Sequence, residues 1–419
     1  MTINIRNVQR ARIAREPNGA FATEIAIGLF LDMPFVEGSM TVALRHATES
    51  PMHSQQHLDG YPEEVLLPKD AQVDFQINLE TLDTKPGSGI TAGVGAIGRL
   101  LRIFMGGEHL GTGTTVTTAA TTTNVPVTST AGFAVGSVAG FATSPDGGLE
   151  MREIKNISGG ALVLKLALSS APADASVVYA AATYYMNGTD GSETDSLQMT
   201  VEGIGDDDRW LLLGGQLAST PTIELPVGGI PRMTFSVKFA QWFRADGVNT
   251  TMDLTASALA FATYVNAKTI VHADSEFRSK ANGNTVLAGS LIDAPEVVYT
   301  PNITYAEHRT SAGTNTIAQF VRNRSAPVIA GTFTTPLESQ FYYTARDDRQ
   351  NRAHWLQIGT SPTDGGILLS APTCQVTDVQ LVDSAGIQSQ QVSWKGRLDE
   401  DTTSPTTDLA RSAFRVAFI

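Results

Sequence analysis

Apolar and polar positions along the chain predict mostly short strands, and one block of them recurs. Leu197, Met199 and Val201 alternate with polar residues, as in a half-buried strand. An acidic turn follows at Asp206, Asp207 and Asp208, then an apolar burst at 210–213, a Gly-Ile turn at Gly229-Ile230 and an alternating strand at 234–239. The same order returns from His354. Leu356 and Ile358 alternate, a turn follows at 362–366, Ile367, Leu368 and Leu369 form the burst, and Gly386-Ile387 precedes the strand 391–395. One offset, 386 − 229 = 157 positions, matches Gly229 with Gly386, Met199 with Leu356, Leu211 with Leu368 and Lys238 with Lys395 without a gap. Few residues are identical across the pair, so what recurs is the placing of strands and turns. A second match, 253–262 with 408–417, lies at 408 − 253 = 155. Two matches at nearly one offset predict a duplicated unit.

Read in order, residues 1–21 form an arm carrying Arg6, Arg10, Arg12 and Arg15, expected to dock on a neighbouring subunit. Strands are predicted at 25–31 and 39–45, a polar loop at 49–68, and a strand through Val73, Phe75, Ile77 and Leu79. Ile97, Leu100, Leu101 and Phe104 have helical spacing and predict a helix over 96–106, stopped by Gly106-Gly107. Composition then turns to Thr, Gly and Ala, and short strands follow at 125–127, 133–136, 149–157, 161–168 and 177–185. Residues 112–186 are therefore expected to be a small β domain inserted in an exposed loop and projecting outward. Its removal is expected to leave the rest intact. The remaining predicted strands are 286–291, 297–305, 317–321 and 328–333, with a helix over 336–347 that presents Leu337, Phe341, Tyr342 and Ala345.

The predicted fold class is mainly β, with two tandem sandwich or barrel domains, each with one helix, plus the inserted domain. The first comprises 22–111 and 187–265, and the second 266–419.

Composition narrows the function. The net charge of −13 argues against a surface built to grip nucleic acid, although an acidic wall can repel a strand sliding past it. One cysteine, Cys374, excludes an internal disulfide framework, and its strand pattern predicts a buried small residue. No signal segment or membrane-length apolar run is present in the sequence, so cytoplasmic synthesis without membrane insertion is expected.

Chemistry is sparse. No phosphate loop, nucleophile elbow or His-Glu-x-x-His motif occurs. His53 and His57 stand four apart in a Pro-flanked polar segment without helical pattern, which disfavours a metal site. Asp206, Asp207 and Asp208 lack the spaced oxygen ligands of a calcium loop and are expected to be a solvated turn. Asp347 and Asp348, flanked by Arg346 and Arg349, look like a surface charge cluster. Trp210, Trp242, Trp355 and Trp394 lie in or beside strands, so packing is favoured over base stacking. No catalytic, cofactor-binding or metal residue is assigned, and an enzyme is not expected.

Four stretches resemble tail tube (major tail) proteins of long-tailed, non-contractile bacteriophages. They are the opening 10–17, the helix from Ala96 to Arg102 leading into Gly-Gly, the block from Trp210 to Phe239, and the inserted segment around Phe133–Gly136 and 150–164. The likeness is one of pattern and order across most of the chain. It implies stacked rings whose domains lend strands to a common inner barrel. A duplicated member would give homotrimeric rings of six pseudo-equivalent domains, carrying DNA and a tape-measure protein in the lumen. Ring-to-ring contact is expected from loop 49–68, and the expected location is the virion tail, after synthesis in the host bacterial cytoplasm. Two rivals stay open: another virion ring protein of the tail end or baseplate, and a secreted β-rich adhesin.

Overall fold

The computed structural model describes residues 2–5, 8, 10–16, 22, 30–49, 65–79, 95–143, 148–186, 195–203, 209–226, 229–244, 275–281, 290–291, 296–301, 304–309, 317–323, 329–337, 341–361, 365–384, 386–399 and 407–419. The fold is mainly β, with large antiparallel sheets, one of them curled into a half-barrel.

The chain opens with β1 (Thr2–Ile5), β2 (Arg10–Glu16), β3 (Leu31–Asp32), β4 (Thr41–Glu49) and β5 (Val65–Asn78), then α1 (Gly95–Met105) and β6 (Gly106–His109). Strict alternation makes β5 a strand: Ala71, Val73, Phe75 and Ile77 are buried, while the residues between them are half-exposed. α1 forms as its spacing predicts and ends where Gly106 adopts φ +84, with Arg102 Nη1 donating to the Gly106 carbonyl at 3.0 Å.

Six strands then form a separate sheet: β7 (Thr114–Thr115), β8 (Asn124–Pro126), β9 (Val138–Thr143), β10 (Gly148–Ser158), β11 (Ala161–Leu164) and β12 (Val177–Ala180). It has its own apolar cluster, including Val125, Phe141, Ile154, Leu162 and Val178. The chain returns to the large sheet in β13 (Ala182–Met186), followed by β14 (Ser196–Glu202), β15 (Arg209–Leu217), β16 (Thr222–Leu225) and β17 (Arg232–Arg244). The separate sheet thus ends before Met186, because residues 182–186 pair with β6 and with the last strand of the chain.

The remainder comprises β18 (Ser275–Ala281), β19 (Ser290–Leu291), β20 (Glu296–Pro301), β21 (Thr304–Arg309), β22 (Ile317–Asn323), β23 (Ile329–Pro336), α2 (Phe341–Asp347), β24 (Asn351–Ser361), β25 (Gly365–Ser384), β26 (Ile387–Gly396), α3 (Asp408–Arg411) and β27 (Arg415–Phe418). β23 extends through Pro336, opposite Ser389 of β26, so the first position of the predicted helix lies in a strand. Leu337 and Phe341 are exposed, and Tyr342 and Ala345 carry the packing.

Two ladders in the large sheet share strand order. One runs β2–β14–β15–β17–β5–β4, and the other β18–β24–β25–β26–β23–β20. Met199 lies opposite Leu212, and Leu356 opposite Leu369, the same pairing 157 positions on (356 − 199, 369 − 212). Each ladder is covered by a helix that sets an aromatic ring on the sheet. Phe104 of α1 stands 5.4 Å from Phe235, and Tyr342 of α2 stands 5.3 Å from Phe333. The second sequence match falls partly at 253–262, outside the described residues.

The basic arm is not an arm. β1 pairs with β4, and β2 is an interior strand between β3 and β14. Ala11 and Ile13 enter the core, while Arg10 and Arg12 both reach Asp32 at 2.9 Å. Arg15 pairs with Asp195 at 2.6 Å. Three of the four arginines expected to meet a neighbouring subunit are therefore neutralised within their own chain.

Candidate assembly surface

The two ladders join edge to edge. β16, which flanks β17, pairs with β20, so that Ile223 lies opposite Tyr299. A single sheet therefore passes from β4 through β5, β17, β16, β20, β23 and β26 to β25. One side is core: Val42, Val73, Phe75, Val237, Ile223, Tyr299, Phe333, Val392 and Trp394 are all buried. The opposite side is polar and rich in short hydroxyl and amide side chains. Gln72 Nε2 donates to Ser236 Oγ at 3.1 Å and to Asp74 Oδ1 at 3.2 Å, and Gln76 Nε2 donates to Thr234 Oγ1 at 3.3 Å. Further round, Thr332 lies opposite Ser393, and Ser393 opposite Asp378.

Charge on this face is mixed. Among the described residues, Asp70, Asp74, Glu224 and Asp378 share it with Arg45, Arg232, Lys238 and Lys395. Lys238 meets Asp70 at 3.4 Å, and Arg45 donates to Gln72 Oε1 at 3.0 Å. The chain's excess of acid is not concentrated here, so an acidic wall does not describe these residues.

The second feature is a junction that the sequence reading did not anticipate. The six-stranded sheet does not stand away from the large one. Val138, Leu149, Met151 and Leu166 pack with Trp355, Leu368, Ala417 and Ile419 in one buried cluster. Beside it lies a closed charge quartet of Glu153, Lys165, Asp399 and Arg415, all buried. Arg415 donates to Glu153 Oε1 and Asp399 Oδ2, both at 3.0 Å. Lys165 Nζ lies 3.3 Å from Glu153 and also bonds Asp399. Ser370 Oγ donates to Glu153, and Arg415 additionally holds the carbonyls of Leu409 and Ala410. Two positive and two negative groups sum to zero, which is how such burial is tolerated. Burial alone would lower the Arg415 pKa, but Glu153 and Asp399 outweigh it and raise it. Burial alone would raise Asp399, but Lys165 and Arg415 hold it below the ordinary carboxylate value.

Hydrogen bonds between side chains and backbone tighten the same junction. Gln357 accepts from Met151 N at 2.8 Å and donates to Leu149 O at 2.6 Å, and Thr183 Oγ1 accepts from Val138 N at 3.1 Å. The expectation of a dispensable module standing free of the large sheet is corrected by these contacts. Its deletion over 112–186 would strip β13 from the large sheet and leave Asp399 facing Arg415 without Glu153 or Lys165.

Two buried titratable groups lie in the ladders. Glu16 is fully buried and accepts from Gly214 N at 3.0 Å, from Ala22 N at 3.1 Å and from Ser196 Oγ. Burial raises its pKa to about 7 against the lowering effect of those bonds. His354 is boxed by Phe277, Phe333 and Trp394, with ring centroids at 5.6, 5.5 and 5.3 Å. Burial, reinforced by Arg352, lowers its pKa to about 3, so the ring is neutral.

The residues singled out from the sequence are dispersed. Cys374 is buried on β25, where burial raises its thiol pKa and keeps it protonated. Trp210 and Trp242 pack edge to face at 5.3 Å, and Trp355 and Trp394 are buried in separate clusters. Asp347 pairs with its neighbour Arg346 at the surface. His53, His57 and the acidic turn 206–208 lie outside the described residues, as does loop 49–68 apart from its ends, where Glu49 lies opposite Val65. Among the described residues, no cluster of His, Cys, Asp or Glu is arranged to hold a metal. None of their helices is long and apolar enough to cross a membrane. No protein-family model matches the chain, and no curated protein matches it.

Proposed function

We propose that the chain is a structural subunit of a phage tail tube, in which two copies of one sheet-plus-helix unit alternate around a channel. Three chains then supply six similar domains, and rings stack into a conduit for DNA and for a tape-measure protein during assembly. The observation that carries this reading is the continuous sheet crossing from one ladder to the other at β16 and β20. A sheet that joins two similar ladders edge to edge can be extended by further copies until it closes, and closure removes the exposed edges. On this reading the polar face lines the channel. Its mixed charges and short amide and hydroxyl groups offer phosphate no basic cluster to bind, which suits passage without sequence recognition. The six-stranded sheet decorates the outside, held rigidly by the buried quartet.

Negative-stain electron microscopy of purified protein tests the proposal. Tubes or stacked rings are expected. Single rings that never stack would favour a tail-end or baseplate component, and monomeric particles at all concentrations would refute the assembly reading.

A further inference from the structure

We propose that the corner of the second unit carrying Leu337 and Leu381 is the surface that a second copy of this chain covers. This inference rests on the ring reading above and names the residues at its joint. Its basis is a corner that occurs twice in the chain and is buried only once. In the first unit, Ile223 of β16 lies opposite Met233 of β17, and the Leu79 amide donates to the Pro231 carbonyl at 2.8 Å. In the second, Leu381 of β25 lies opposite Gln390 of β26, and the Leu337 amide donates to the Gln388 carbonyl at 3.2 Å. The partners stand at the repeat offset in both cases, 390 − 233 = 157 and 388 − 231 = 157. Leu381 and Leu337 are thus the counterparts of Ile223 and Leu79. Gln390 also lies opposite Thr335, two positions before Leu337, so alternation sets both leucines on one face of the sheet.

Ile223 and Leu79 are fully buried, whereas Leu381 is 56% and Leu337 39% exposed. For Ile223 the cause is the joint within the chain: β20 pairs along β16, setting Tyr299 opposite Ile223 and Val297 opposite Leu225. β24 accompanies β25 only as far as Gln375, so among the described residues 376–384 has β26 as its one strand neighbour. An open edge with apolar side chains beside it is a pairing site. Asp383 and Gln388, both exposed, give this corner a polar rim, as interfaces have. The occupant follows from the repeat. The second unit covers the first corner with its outer strand β20, and the first unit's matching outer strand is β4. Tyr299 faces Gly331, which faces Trp394, while Val42 faces Val73, which faces Val237, and 394 − 237 = 157. β4 and β25 lie at opposite ends of the joined sheet, so the β4 that reaches Leu381 belongs to another copy. On β4 the stretch matched to the internal joint is Met40–Val42. β1 pairs with Val42–Arg45 and meets that stretch at Val42 alone, so it stays in place.

The test compares full-length wild type with Leu381→Lys and Leu337→Lys. Each variant should keep the wild-type thermal midpoint as an isolated chain, since both side chains are exposed, yet need at least tenfold more protein to assemble. Unchanged assembly of both variants would sink the proposal, and so would a midpoint several degrees lower, which would place the leucines inside the single chain. Amide hydrogen exchange on wild type supplies a second readout that no substitution can confound. Backbone amides of 380–383 should exchange at least tenfold more slowly in assembled particles than in dilute, unassembled protein. Particles that assemble while these amides exchange unchanged would overturn the corner and leave the ring reading standing, whereas wild-type protein that never assembles would overturn both.

Discussion

Replacing Arg415 with Met removes one positive member of the buried quartet and leaves Glu153 and Asp399 facing Lys165 alone. The pocket then holds a net negative charge in a fully buried site, and the carbonyls of Leu409 and Ala410 lose their donor. Stranding one partner of a buried ion pair costs about 3–5 kcal/mol, a large share of the ~5–15 kcal/mol by which domains are ordinarily stable. The cost should be partly reversible by charge arithmetic. Adding Asp399→Asn leaves Glu153 with Lys165, a neutral pair at 3.3 Å. The double variant should recover about 1–3 kcal/mol of the loss, the size of coupling seen between contacting residues. Urea titration of wild type, both single variants and the double variant supplies the cycle. The reasoning fails if Arg415→Met costs under about 1 kcal/mol, or if the second substitution simply adds to the first.

Further outcomes follow from the same structure. Deleting 112–186 should yield insoluble protein, because it removes β13 and uncovers Trp355 and Leu368; soluble, cooperatively folding material would contradict the junction described here. Glu16, raised from 4.5 to about 7 in the folded chain, lends stability below pH 4.5 that is lost as pH rises toward 7, about 3 kcal/mol in all. His354, lowered from 6.5 to about 3, acts in the opposite sense, its stability being present above pH 6.5 and lost as pH falls toward 3. Between pH 4.5 and 6.5 these two effects oppose each other, so urea midpoints of the wild type should stay nearly level there, whereas those of Glu16→Gln should climb; identical profiles would refute the assignment. Gly331→Ala should destabilise by about 1–3 kcal/mol, since its Cβ would lie 2.2 Å from the buried Trp394 ring and 2.6 Å from the Val298 carbonyl; a melt within error of wild type would count against that packing.

Much of the sheet was legible in the sequence because burial imposes parity on each strand. Val73, Phe75 and Ile77 read as a strand and are one, and the spacing of Ile97, Leu100, Leu101 and Phe104 located α1. The matched pairing of Met199 with Leu212 and Leu356 with Leu369 keeps the offset read from the sequence. β2 was missed for a physical reason: Arg10 and Arg12 alternate with Ala11 and Ile13, a strand signal masked by charge that Asp32 neutralises. The quartet had no local signature, since Lys165 meets Asp399 across 234 residues and Arg415 meets Glu153 across 262. The boundary at 186 slipped because Ala182–Met186 continues the alternation of Val177–Ala180 while belonging to the other sheet.

A cryo-electron microscopy map of the assembled particle tests the central claim most directly. The account expects three chains per ring, with the face bearing Gln72, Asp74, Ser236 and Ser393 toward the channel and the six-stranded sheet at the periphery. A ring lined by the six-stranded sheet, or one in which that polar face points outward, would contradict it.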